Sequence, residues 1–106
     1  MSRPATKKSE AKKLDAEWGR TIKERDGNVC AVCGKPSKVL NAHHIIPRKR
    51  KDTHYEIMNG ISLCYVHHKM GIDSAHQSAV WFSLWLQKHR PEQYVWILNK
   101  LKEVEK

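Results

Sequence analysis

Two pairs of residues with metal-ligating atoms share one spacing: Cys30 with Cys33, and Cys64 with His67. A separation of two residues folds the backbone so that both side chains of a pair point at one ion. Three thiolates and one imidazole can close a tetrahedral zinc site. Gly34 relaxes the turn that follows Cys33. Four protein ligands leave no open position, so the site is structural and its binding energy is folding energy. The chain has three cysteines, an odd number that argues against a closed disulfide framework. A redox C-x-x-C should open a long helix after a strand, which Gly34-Lys35-Pro36 forbids. Cysteines as small buried hydrophobes remain an alternative, but one that leaves the offset of His67 unexplained.

Seven histidines in 106 residues is a high count. His43-His44 and His67-His68 are adjacent pairs flanking a short apolar segment. Fourteen residues separate His44 from Asn59, and eight separate Asn59 from His68. The stretches Leu40-Asn-Ala-His43-His44-Ile-Ile-Pro47 and Asn59-Gly-Ile-Ser-Leu-Cys64-Tyr-Val-His67-His68 resemble the HNH endonucleases. The His, Asn, His order, its spacing and the interleaved zinc ligands carry the resemblance, which covers Cys30 to His68. In place of the family's more usual C-x-x-C-H this chain has Cys64-Tyr-Val-His67-His68, so His67 is read as replacing the last cysteine.

The resemblance implies a role for each residue. His44 would be the general base that activates a water. His43 and His68 would ligate a catalytic divalent metal, Mg²⁺ or Mn²⁺ first, with Ni²⁺ or Zn²⁺ as alternatives. Asn59 would brace the loop and orient the base. Some relatives carry a further ligand one helical turn after the closing His. That position is Ile72 here, so Asp73 or His76 is the substitute, and His76 could equally be a helix residue without a metal. Phosphodiester hydrolysis needs a nucleophile, charge neutralisation and a stabilised leaving oxygen. One ion can supply the last two, and a neutral imidazole, with an ordinary pKa near ~6.5, can take the proton. The implied products carry 5′-phosphate and 3′-hydroxyl ends. On a regular strand His43 and His44 would face opposite sides, so twist must reconcile them. His54 and His89 belong to no constellation and read as surface residues.

These residues need elements to hold them. Leu14, Trp18 and Ile22 recur every four residues and predict a helix from Ser9 to Arg25, stopped at Asp26-Gly27. Residues 1–8 read as a flexible basic tail. Val39 to Ile46 predicts a strand ending at Pro47, Asn59-Gly60 a turn, and Ile61 to Cys64 a second strand. Tyr65 to Met70 predicts a short helix ending at Gly71. Ser74-Ala-His-Gln77 has the form of a capping box, opening a helix with Val80, Trp81, Leu84 and Trp85. Pro91 opens a last helix through Leu101. The four tryptophans fall on apolar stripes and read as core rather than base-stacking platforms. The expected fold is a small α+β ββα-metal (His-Me finger) domain with structural zinc and flanking helices. It spans residues 9–106 as one domain, with its core motif at 30–76 and C-terminal helices over 75–104.

The formal net charge is +9, which suits a polyanion, with nucleic acid the first candidate. Arg48, Lys49, Arg50 and Lys51 lie between the histidine pair and Asn59, where phosphate contacts are useful; a solvated charge run is the plainer reading. Only 40% of residues are hydrophobic, so a metal staple would help so small a core. No apolar run approaches the ~20 residues that span a bilayer, and MSRPATKKSEAKK lacks a signal core. The expectation is a soluble cytoplasmic enzyme acting on DNA. The stand-alone layout resembles HNH proteins of phages and mobile elements, with packaging or recombination proteins as possible partners and the oligomeric state open. The alternative function is a non-catalytic zinc-dependent nucleic-acid-binding module.

Overall fold

The computed structural model describes the backbone of residues 3–71 and 74–105. Helix α1 (Arg3–Arg25) leads into strands β1 (Leu40–His44) and β2 (Gly60–Cys64), followed by helices α2 (Ala79–His89) and α3 (Pro91–Glu105). Short 3-10 turns at Lys51–Thr53 and Ile57–Asn59 punctuate the loop between the strands, and a π-helical turn spans Val66–Met70.

Helix α1 begins at Arg3, earlier than the predicted start at Ser9. The helix closes where Asn28 N–H donates to the Lys23 carbonyl at 2.7 Å. Of the predicted stripe, Trp18 and Ile22 are buried and Leu14 is exposed.

The strands pair antiparallel, with Leu40 opposite Cys64, His43 opposite Ile61 and His44 opposite Gly60. Strand β1 is shorter at both ends than the predicted Val39–Ile46. Successive side chains alternate faces. Ile61 and Leu63 of β2 pack with Cys30, Phe82 and Leu86, placing α2 on one face of the hairpin. Helix α1 covers the other face. A Cβ on Gly60 would fall 2.5 Å from Ile22 and 2.7 Å from Trp18, so this close approach requires glycine.

Asp26, at the end of α1, ties the layers together. Its buried carboxylate accepts hydrogen bonds from Ser62 N–H, Arg25 and Arg90. Burial opposes its ionisation, but the Arg25 hydrogen bond and the other donors hold its pKa below the ordinary value. Gln93 of α3 donates to the carbonyls of Met58 and Gly60, both at 2.9 Å.

The start of α2 differs from expectation. Ser74 does accept from Gln77 N–H, but the Gln77 side chain donates to the Lys69 carbonyl instead of closing a capping box. Ser74–Gln77 is therefore a turn docked on the preceding segment. The N-cap is Ser78, whose hydroxyl accepts from Trp81 N–H. Trp81 and Trp85 pack against the core, while Val80 and Leu84 are exposed. Among the described residues no helix is long and apolar enough to cross a membrane.

Candidate active site and metal centres

Cys30, Cys33, Cys64 and His67 converge, one ligand atom from each lying within 4.8 Å of the others. Cys30 and Cys33 sit in a turn where Gly34, at φ 70°, adopts a left-handed conformation that disfavours a side chain. The His67 Nδ1 lies 3.3 Å from Cys64 Sγ and 3.7 Å from Cys30 Sγ. A tetrahedral zinc about 2.3 Å from sulfur and about 2.0–2.1 Å from nitrogen would separate such atoms by roughly 3.6 Å, so the donor set fits zinc. Burial opposes ionisation of the Cys30 thiol, yet the N–H groups of Cys33, Cys64 and Val32 around it hold its pKa below the ordinary value. Burial raises that of Cys64, as does the neighbouring Cys30.

His43, His68 and His76 form a second convergent set. His68 Nε2 lies 3.2 Å from His43 Nδ1 and 3.2 Å from His76 Nε2. Nitrogens at about 2.0–2.1 Å from one tetrahedral ion stand about 3.3 Å apart, so this trio also fits a divalent ion. Asp73 and Ile72 lie outside the described residues, and the trio contains no carboxylate. Burial pushes His43 down to about 3, aided by His68, His76 and His44. Burial likewise lowers His68 to about 4, with His76 and Lys69 contributing. Both rings are therefore neutral, with lone pairs available to a metal, at neutral pH.

The π turn separates two adjacent histidines into two clusters. Gly71 N–H donates to the Val66 carbonyl at 2.7 Å, five residues back. The sequence predicted an ordinary short helix here; the wider π turn places His67 with the cysteines and His68 with His43 and His76. Ala75 N–H and His76 N–H then donate to the carbonyls of His67 and His68, docking the His76 turn on the same segment.

His44 lies on the opposite face of β1, against α1. Its ring stacks on Trp18 with centroids 3.9 Å apart and planes 11° apart. His44 Nε2 lies 3.0 Å from the His54 carbonyl. A carbonyl only accepts, so this contact selects the tautomer with hydrogen on Nε2 and the lone pair on Nδ1. Burial holds His44 below the ordinary histidine value, although the His54 carbonyl partly offsets it.

Asn59 is fully buried beneath the loop. Its Oδ1 accepts from Ile46 N–H at 2.7 Å, and its Nδ2 donates to the carbonyls of Ile46 and Thr53 at 3.1 Å. It thus fixes the residue preceding His54 and does not touch the His44 ring directly.

His54, read from sequence as a surface residue, stands beside His44 with ring centroids 4.9 Å apart and donates to Asp15 at 2.9 Å. Asp15 also pairs with Arg48 at 3.2 Å. Neither Asp15 nor Trp18 was identifiable as a site residue, because both belong to α1, far from the motif in sequence. His89 is exposed, as expected, and stacks on Trp85. The basic run divides: Arg48 and Lys49 line the cavity of about 840 Å³ that holds His43, His44, His68 and His76, whereas Arg50 pairs with Asp52. Lys69 lines the same cavity and was not singled out by sequence.

Residues 30–71, which contain both histidine pairs, Asn59 and all four zinc-type ligands, match the family model described as HNH endonuclease. The chain carries an HNH domain. Two antiparallel strands followed by the helical turn of His67 and His68 form the ββα-metal core of this small α+β fold. Helix α1 and the His76 turn lie outside the matched segment. No curated protein and no solved structure matches the chain.

Proposed function

We propose that the HNH domain is a metal-dependent endonuclease that hydrolyses DNA phosphodiester bonds, with His44 as general base. The observation that carries this reading is the 3.0 Å contact between His44 Nε2 and the His54 carbonyl. The Nε2 hydrogen is committed to that carbonyl, leaving a neutral Nδ1 to accept a proton from water.

A divalent ion held by His43, His68 and His76 would neutralise the phosphate and stabilise the leaving oxygen. The protein's own groups do the rest. Trp18 fixes the plane of the base, and Asn59 fixes the Thr53 carbonyl next to the His54 carbonyl that orients it. Arg48, Lys49 and Lys69 supply positive charge where a phosphate must sit. An all-imidazole set suits Zn²⁺ or Ni²⁺ by softness, whereas Mg²⁺ and Mn²⁺ favour carboxylates, so all four belong in the assay. Cys30, Cys33, Cys64 and His67 hold a structural zinc that braces the π turn carrying His68.

Supercoiled plasmid incubated with the zinc-loaded protein and each ion in turn tests this. Nicked or linear product with 5′-phosphate ends supports it. DNA binding without turnover in any ion would overturn it in favour of a non-catalytic zinc-dependent nucleic-acid-binding module.

A further inference from the structure

We propose that a second basic groove, built by Arg20 and Lys23 of α1 and Lys38 before β1, grips backbone phosphates of duplex DNA away from the scissile bond. This rests on the reading that the ligand is DNA, but not on the protein being catalytic.

The groove encloses about 540 Å³ between the α1 face and the segment leading into Leu40. Three cations line it and no carboxylate does. Among the described residues none of the three makes an ion pair, whereas Arg25, Arg48, Arg50 and Arg90 each do. Gathering unpaired like charges opposes folding, so a polyanionic ligand is their natural complement. Lys23 also lies in the last turn of α1, where a cation complements the helix dipole. That account does not extend to Arg20 or to Lys38, which is not helical. Ala16 leaves the space open one turn before Arg20, and Ser37 and Asn28 add small polar groups at the rim.

Position supports the same ligand. The groove ends at Leu40 and the catalytic cavity begins at Asn41, on the same strand. His44 lies four residue steps beyond Leu40 on β1, or about 13 Å at ~3.3 Å per residue. One DNA strand advances ~3.4 Å per nucleotide, so a duplex lying along β1 would meet the groove about four nucleotides from the cut. Lone phosphates would need no such alignment, but a duplex crossing the edge of β1 would meet both.

The test is DNA binding by fluorescence anisotropy over a range of salt. The zinc-loaded full chain and a duplex of about three helical turns are used without added divalent ion, so that cleavage does not enter. Each phosphate contact contributes about 0.9 to the slope of log K against log salt. Arg20→Gln, Lys23→Gln and Lys38→Gln together should lower the slope by about 2 to 3. Lys38→Gln alone, at an exposed residue, should lower it by about 0.9. A charge-matched control, Lys88→Gln with Lys100→Gln and Lys102→Gln on α2 and α3, should lower it far less. An unchanged slope in the groove variants, or an equal loss in the control, would overturn the proposal. A loss confined to the groove variants in a protein that cuts no DNA would sustain the groove while removing the nuclease.

Discussion

The ring of His44 lies flat on the indole of Trp18, 3.9 Å away and 11° from parallel. The indole is itself anchored, because Trp18 Nε1 donates to the Glu56 carbonyl at 3.0 Å. A helix outside the HNH segment therefore fixes the plane of the proposed base. Displacing such a group by about 1 Å can cost on the order of 10²-fold in rate. Trp18→Leu should lower kcat by about 10- to 100-fold with little change in KM, whereas Trp18→Phe, which keeps a ring, should retain most activity. Steady-state kinetics at a temperature where both variants are folded decides this.

The π turn places neighbouring histidines in different ligand clusters, His67 with the cysteines and His68 with His43 and His76. His67→Ala should lose the structural zinc and destabilise the fold, because this core is small without its staple. His68→Ala should keep zinc and fold but weaken binding of the second ion, with partial rescue by excess Mn²⁺. Zinc content by metal analysis, beside thermal melting, separates the two. Interchanged phenotypes would reverse the assignment of the ions.

How much of this was legible in the sequence follows from the range of each interaction. Cys30-x-x-Cys33 and Cys64-x-x-His67 are local patterns, and their convergence was readable from spacing. The split between His67 and His68 was not, because it depends on a π turn that an apolar-periodicity argument cannot tell from an α turn. Asp15 and Trp18 reach His54 and His44 across 39 and 26 residues of sequence, and on α1 they read only as a charge and a core position. Ser74 and Ser78 both offer a cap. Gln77 resolves the choice by turning towards Lys69, a tertiary contact without local signature.

Burial sets the pH behaviour of two rings in the histidine trio. His43 is lowered to about 3 and His68 to about 4. Protons thus compete with a metal at these two rings only near and below about pH 4. Two ordinary histidines near pKa ~6.5 would lose roughly 50- to 100-fold in combined availability between pH 7 and 5.5. Calorimetric titration of Mn²⁺ or Ni²⁺ into zinc-loaded protein should show a loss well below that. The same depression means that the unfolded chain binds more protons than the folded one between about pH 6.5 and pH 3. Stability contributed by these rings is therefore full above that window and declines as pH falls through it.

The two halves of the basic loop should differ. Arg48 and Lys49 line the histidine cavity, while Arg50 is engaged with Asp52 and lies outside its lining. Arg48→Gln with Lys49→Gln should reduce the salt dependence of DNA binding by about 1 to 2 in slope. Arg50→Gln should mainly lower the melting temperature. Binding and melting curves on the same preparations check both.

His44 is proposed to take the proton from the attacking water. His44→Ala, assayed on supercoiled plasmid with saturating divalent ion, measures it directly. Loss of a general base costs about 10²–10⁴-fold in rate, and a fall of that size is expected, with zinc content, melting and DNA affinity nearly unchanged. Cleavage by the His44→Ala protein at close to the wild-type rate would contradict it.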